Sequence, residues 1–241
     1  MRIRGAALTD IGKVRRHNED RFVCDDALGL YGVADGIGGL PGGAEAAEHA
    51  ITQLGGAVSL LPDVLDASDS LSVLQNLTLH INDAVCCLSE KISPLGIGTT
   101  LTYGLFRDTR LLLAHVGDSR CYLFRDQRLH LLTTDHTVEN DMLRRHAAGE
   151  FVIIDESQRK SLTRCIGQSI ALEVDTSAHP LRPGDRYLFC TDGIDKAISQ
   201  PELGGILSRN APPPEILAAL IAAANARGGA DNATGVLVLV E

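Results

Sequence analysis

Three times in this chain an apolar run ends on an aspartate: Val33-Ala34-Asp35-Gly36, Val116-Gly117-Asp118-Ser119 and Phe189-Cys190-Thr191-Asp192-Gly193. A fourth aspartate, in Asp231-Asn232, stands just before the last apolar segment, 233–240. Short apolar runs rich in β-branched residues read as strands. A strand that enters an antiparallel sheet from the opposite direction begins where its neighbours end, so these carboxylates can gather along one rim. Asp-Gly is also the commonest hairpin dipeptide, and any one of the four alone reads as a turn. Repetition shifts that reading, because Asp35-Gly36 runs into a Gly-rich loop and a helix, with no returning strand. Gathered carboxylates repel one another unless a cation sits among them. Donors that are all oxygen suit Mg²⁺ or Mn²⁺; zinc prefers His and Cys.

Further strands are expected at 28–34, 101–106, 111–116, 121–124 and 186–191. Helical periodicity and end signals place helices at 41–54, stopped by Gly55-Gly56, at 70–91, at 214–227 and at 137–148. Strands come in consecutive runs and the helices do not alternate with them. That order favours antiparallel sheets covered by helices over a doubly wound parallel sheet. Segment 150–161 is polar and without period, which marks an exposed loop or flap.

The 241 residues suffice for one substantial core, and no repeat or linker divides them. Aromatics are 4% of the chain and Trp is absent, so aliphatic side chains must fill the interior. The net charge of −9, with basic clusters only at Arg15-Arg16 and Arg144-Arg145, argues against nucleic-acid partners. No apolar run is long enough for a membrane span, and Met1-Arg2-Ile3-Arg4 does not open a signal peptide. Six cysteines without C-x-x-C spacing fit a reduced, cytoplasmic setting.

Protein nucleophiles are removed by inspection. No Cys has an Arg six residues on, and there is no G-x-S-x-G, H-E-x-x-H or G-x-x-x-x-G-K-[ST] motif. Gly36-Ile37-Gly38-Gly39-Leu40-Pro41 starts like a dinucleotide loop, but Pro41 replaces its last Gly. A water activated by two cations is the remaining nucleophile, with an Arg to meet a phosphate dianion.

Eight short motifs in order then resemble the metal-dependent protein phosphatases of type 2C, and their bacterial branch in particular. They are Thr9 through Asp20, Val33 through Gly39, Gly98-Thr99-Thr100, Val116 through Arg120, Thr134-Asp135-His136, Leu162-Thr163-Arg164, Thr191-Asp192-Gly193 and Asp231 through Thr234. The resemblance spans nearly the whole chain, 1–241, as one catalytic domain. It implies an α+β fold, a four-layer sandwich of two antiparallel sheets between helix pairs. It implies hydrolysis of phosphoserine and phosphothreonine esters on proteins by a hydroxide bridging two Mg²⁺ or Mn²⁺ ions. By the same resemblance Asp35 bridges the ions, the Gly36 carbonyl binds one of them, and Asp192 and Asp231 bind the other. Glu19 and Asp20 hold metal-bound waters, Arg15 binds the substrate phosphate, and Asp118 contributes to a third metal site. Asn232 orients Asp231 or is a turn-forming Asn.

Around these, Asp10 and Asp135 read as caps, Thr99 and Thr100 as strand-edge hydrogen-bonding residues, Arg164 as an ion-pair partner and Asp195 as a surface charge. The family's general-acid histidine has no counterpart at Ile37 or Leu40, which leaves His17, another residue or a metal-bound water for that role. Expected partners are phosphorylated proteins, the substrates of a bacterial serine/threonine kinase or the kinase itself, met by a monomer. The alternative is a weak or inactive copy serving as a regulatory or phosphoprotein-binding module; a phosphatase for small phosphoesters is a second. Inactive copies lose metal ligands, and the matching positions here retain them.

Overall fold

The computed structural model describes residues 1–38, 42–61, 69–93, 96–152 and 155–241. Two five-stranded antiparallel sheets stack face to face. The first contains β1 (Ile3–Asp10), β10 (Ala233–Val240), β9 (Arg186–Cys190), β6 (Arg120–Arg125) and β7 (Arg128–Leu131), in that order across the sheet. The second contains β2 (Asp20–Asp25), β3 (Leu30–Asp35), β4 (Leu101–Arg107), β5 (Arg110–Val116) and β8 (Asp175–Pro180). Helices α1 (Gly43–Val58) and α2 (Ser70–Ile92) cover the second sheet. Helices α5 (Gln200–Leu207) and α6 (Pro213–Ala226) cover the first. The expected four-layer α+β sandwich is the fold observed.

Three apolar layers explain why the central strands read as unbroken apolar runs. Leu30, Leu112 and Ala114 face α1 and α2, while their neighbours Tyr31, Leu111 and Leu113 face the opposite sheet. In the first sheet Leu188 and Cys190 face the helices, and Tyr187 and Phe189 face inward. A strand covered on both faces has no polar side to show, so alternation disappears from its sequence. Between the sheets Phe106 stands edge-on to both Tyr31 and Tyr187, with ring centroids 5.3 Å apart in each pair.

Helix α1 continues through Gly55 and Gly56 to Val58, past the predicted stop. Those glycines have open space where a side chain would stand, while Leu54 and Val58 are buried against the sheet. Burying two aliphatic side chains outweighs the roughly 1 kcal/mol that each helical Gly costs relative to Ala. The predicted start at Pro41 lies outside the described residues. Helix α3 (Val138–Ala147) forms as predicted, with the Thr137 hydroxyl capping the Asn140 amide. The 150–161 segment is mostly exposed where described, Phe151 included, and its far end docks on the start of α3. There the Val138 and Glu139 amides donate to the carbonyls of Ser161 and Arg159.

Two short helices, α5 and α4 (Asp192–Asp195), were not predicted, and the second matters for the site. Helix α4 follows β9 at once and is clasped to the turn between β5 and β6. Arg120 donates in bidentate fashion to Asp135 at 2.8 and 2.7 Å, and its remaining nitrogen reaches Asp195 at 2.9 Å. Asp195 is therefore not a surface charge: its side chain is 2% exposed. Asp135 is likewise an ion-pair partner in place of the expected cap. The readings of Asp10 and Arg164 hold. Asp10 accepts from the Gly12 amide, and Arg164 pairs with Glu173 and Asp175.

Burial pushes the Asp195 carboxyl up to about 8 from its ordinary 3.8, with Arg120 opposing the shift. Between those values the folded chain holds a proton that the unfolded chain releases. Stability is therefore full below the lower value and is lost as pH rises to the upper one, by up to about 1.4 kcal/mol per pH unit. Asp195→Asn removes that loss. The melting temperature of the variant minus that of wild type should rise steadily between about pH 4 and pH 8. A difference that stays flat across this window would show Arg120 holding Asp195 ionised throughout.

Candidate metal centre

The strand ends do gather at one rim. Asp35 closes β3, Asp118 lies in the turn after β5, Asp192 begins α4 directly after β9, and Asp231 precedes β10. All four line one cleft of about 430 Å³, together with Arg15, Glu19, Gly36 and Asn232. Asp20 sits behind them, 2% exposed. A cavity of similar size, about 400 Å³, borders His115 and contains only one carboxylate, Asp175.

Each carboxylate is placed by backbone hydrogen bonds. The Asp35 amide donates to the Thr100 hydroxyl at 2.9 Å, and the Thr100 amide returns to the Asp35 carbonyl at 2.8 Å. Gly36 and Thr99 then bridge as an extension of the β3–β4 ladder, so both threonines act at the strand edge as expected. Asp118 follows Gly117, whose φ of 110° brings its backbone against Thr100, where a Cβ would lie 2.6 Å from that side chain. Only Gly holds such a conformation without strain. His136 grips the same turn, accepting from the Gly117 amide at 3.1 Å and donating its own amide to the Gly117 carbonyl at 2.8 Å.

A chain of hydroxyls joins the two sheets behind the cleft. Thr191 donates to Asp20 Oδ2 at 2.7 Å and accepts from the Thr234 amide at 3.0 Å. The Thr234 hydroxyl meets that of Thr9 at 2.7 Å, and Asn18 donates to Thr9 at 2.8 Å. Asn232 plays a wider part than orienting its neighbour. Its side chain accepts from the Glu19 amide and donates to the carbonyls of Ile11 and His17, pinning the β1–β2 loop that carries Arg15 and Glu19. Its backbone amide, in turn, holds Asp231 Oδ1 at 2.9 Å.

The electrostatics are those of a site short of positive charge. Burial pushes the Asp35 carboxyl well above the usual carboxylate range, and Asp20, Asp192, Asp118 and Asp231 push it further. Asp20 is raised to about 6, again by burial first. Asp20 Oδ1 is buried and finds no donor among the described residues. Its cross-strand partner is Asp35, another carboxylate, which donates only when protonated. A buried carboxylate oxygen left without a donor is costly unless a cation or proton satisfies it. The donor set around it is all oxygen, which fits a hard divalent ion.

Three side-chain cations line the cleft, Arg15, Lys160 and Lys196, and two of them already pair with its aspartates. Arg15 donates to Asp231 Oδ2 at 2.8 Å, and Lys196 donates to Asp118 Oδ2 at 2.9 Å and to Asp192 Oδ2 at 2.6 Å. As the side chains stand, no three Asp, Glu, His or Cys donors among the described residues converge on one point. Lys160, Ser161 and Leu162 from the end of the 150–161 segment complete the cleft wall. Sequence reading missed Lys160 and Lys196. The spacing of Asp192 and Lys196, four apart, carried a signal for the second, since such pairs meet on a helix. His17 is exposed and does not line the cleft, Ile37 does, and Leu40 lies outside the described residues.

Comparison with known proteins agrees with this geometry. A model of the family described as Protein phosphatase 2C matches residues 8–232. The serine/threonine phosphatase stp of Listeria monocytogenes serotype 4b is 33% identical over 234 residues, covering 95% of this chain and 93% of that protein. The solved serine/threonine phosphatase of S. agalactiae superposes with a TM-score of 0.87 at 31% identity, covering 99% of this chain and all of that one. The catalytic domain of the serine/threonine protein phosphatase PstP, solved in complex with two manganese ions, gives 0.82 at 30% identity over 98% and 97% of the two chains. With the motifs in order, the sandwich in place and the carboxylates at one rim, the chain belongs to the protein phosphatase 2C family.

Proposed function

We propose that Asp35, the Gly36 carbonyl, Asp192 and Asp231 hold two divalent cations, Mg²⁺ or Mn²⁺, and that Arg15 receives the substrate phosphate. The observation that carries this reading is the convergence of carboxylates from the strand ends of both sheets on one cleft, with Asp20 Oδ1 behind it left without a donor among the described residues. As a member of its family the chain is a metal-dependent serine/threonine protein phosphatase. Bound by these residues, divalent ions would supply an acidified water as nucleophile and positive charge to offset that on the phosphoryl oxygens.

The chain's own residues do the rest. Arg15, drawn from the loop that Asn232 pins, offers planar paired donors to phosphate oxygens. It now spends one on Asp231, so an arriving phosphate competes for a guanidinium already in position. Glu19 lines the cleft and Asp20 stands behind it, both suited to accept from waters held by the site. No His lines the cleft, and Ile37 presents hydrocarbon where a proton donor would help a leaving alkoxide. No helix of the described residues is long and apolar enough to cross a membrane. The phosphoproteins it acts on are, on this reading, targets of a serine/threonine kinase or that kinase itself, met by a cytoplasmic monomer acting as one catalytic unit.

Asp35→Asn and Asp231→Asn should each lower kcat by at least roughly 10²–10³-fold, the scale of losing one preorganised charge-stabilising group. In chelator both variants should melt higher than wild type, by roughly 2–4 °C for each 1 kcal/mol of repulsion relieved. Near-normal turnover at saturating Mn²⁺ would sink the ligand assignment.

Arg15→Ala should raise KM for a phosphopeptide by roughly 10- to 100-fold with a smaller fall in kcat, as expected for a charged hydrogen bond kept from ground state to transition state. An unchanged KM together with unchanged inhibition by inorganic phosphate would remove Arg15 from the site.

Turnover should depend steeply on leaving-group pKa, favouring aryl phosphates over serine phosphate esters. Introducing a proton donor with Ile37→His should flatten that dependence. Equal slopes in the two proteins would show that some other group already protonates the leaving oxygen.

A further inference from the structure

The family resemblance implies a third metal site at Asp118, and the structure puts a protein cation there. The Lys196 ammonium lies between Asp118 Oδ2 and Asp192 Oδ2, at 2.9 and 2.6 Å. The two carboxylates come from different segments, the β5–β6 turn and the start of α4, and Lys196 is the atom group that joins them.

The placement is built into the backbone. The Lys196 amide donates to the Asp192 carbonyl at 2.9 Å, closing the single turn of α4, while Ile194 and Ile198 on either side are buried. That fixes the register and aims the side chain back over Asp192. On the opposing turn, Asp118 is 6% exposed and held by the grip of His136 on Gly117. The two segments meet twice: Asp118 in the turn faces Lys196, just past α4, and Arg120 at the start of β6 faces Asp195, the last residue of α4. Adjacent residues at the end of α4, Asp195 and Lys196, thus tie it to the β5–β6 corner at two points. An ammonium with several donors and a mostly shielded pair of carboxylates leaves little unmet charge for a further divalent ion. The side chain of Lys196 is still 40% exposed, so its removal opens a path without disturbing the core.

We propose that Lys196 is a resident cation standing in for the third metal, so that this phosphatase binds two divalent ions and positions Asp192 through its own lysine. The proposal rests on the reading of the cleft as a two-metal centre. Lys196 is a positioning residue, acting on the reaction through Asp192.

The test is the number of Mn²⁺ ions bound per chain, measured by equilibrium dialysis with metal analysis and no substrate present. Wild type should bind two. Lys196→Met keeps the length of the side chain and deletes its charge, and should gain one weaker ion. The double variant Lys196→Met/Asp118→Asn should lose that added ion and return to two, while Asp118→Asn alone should leave the count unchanged. A wild-type protein that binds three ions, the weakest lost in Asp118→Asn, would show that metal displaces Lys196 and would overturn the proposal while leaving the two-metal reading intact. A Lys196→Met protein that is folded by circular dichroism and still binds only two ions would overturn it as well. Wild type that binds no Mn²⁺ would overturn the two-metal reading, and this inference with it.

Discussion

Asp35 ends a strand of one sheet and Asp192 follows a strand of the other, and the packing of those sheets forces their charges together with Asp20, Asp118 and Asp231 close by. Repulsion among them grows as the sheets approach and water leaves. The surroundings answer that repulsion piece by piece. Lys196 takes two carboxylates, Arg15 takes one, and Thr191 donates to Asp20. What stays unanswered, around Asp35 and the bare oxygen of Asp20, is the part of the site left for an exogenous cation. The binding energy of such ions is in this sense stored in the fold as electrostatic cost, which the inter-sheet core must outweigh.

Rigidity of the rim comes from short links and owes little to bulk. The hydroxyl chain Asp20–Thr191–Thr234–Thr9 crosses from one sheet to the other, and the double clasp of α4 on the β5–β6 turn ties the remaining corner. Breaking one partner of a buried, paired group leaves the other uncompensated. Each link is therefore worth more to the geometry of the site than to net stability. Asn232 shows the economy of the design: one amide holds three backbone groups of the β1–β2 loop and so fixes where Arg15 and Glu19 begin.

How much of this was legible depended on where each element sits. The six strands found from sequence, β3, β4, β5, β6, β9 and β10, are the interior strands of the two sheets. The four missed, β1, β2, β7 and β8, are the four edges. Edge strands here are half-exposed and carry polar residues, as in Asp20–Asp25 and Asp175–Pro180, so neither an apolar run nor a clean alternation survives. Helix α5 holds only eight residues and includes Gly204-Gly205, too little for a periodic signal. In the site, aspartates at strand ends were readable because strand ends share a rim. The meeting of Lys196 with Asp118 was not, since the two are brought together only by tertiary packing. Asp195 misled for a related reason: a charged residue reads as exposed until a partner, here Arg120, is found beside it in the fold.

The edge-on rings of Tyr31, Phe106 and Tyr187 lie in the layer between the sheets. That layer behaves as a spacer of fixed thickness, because an interior packed to crystal-like density yields little to compression. Carboxylates mounted on opposite sides of it inherit that tolerance. The distance across the cleft is then gauged by hydrocarbon that never touches a phosphate, and variation in the spacer can retune the chemistry while every acidic residue stays unchanged.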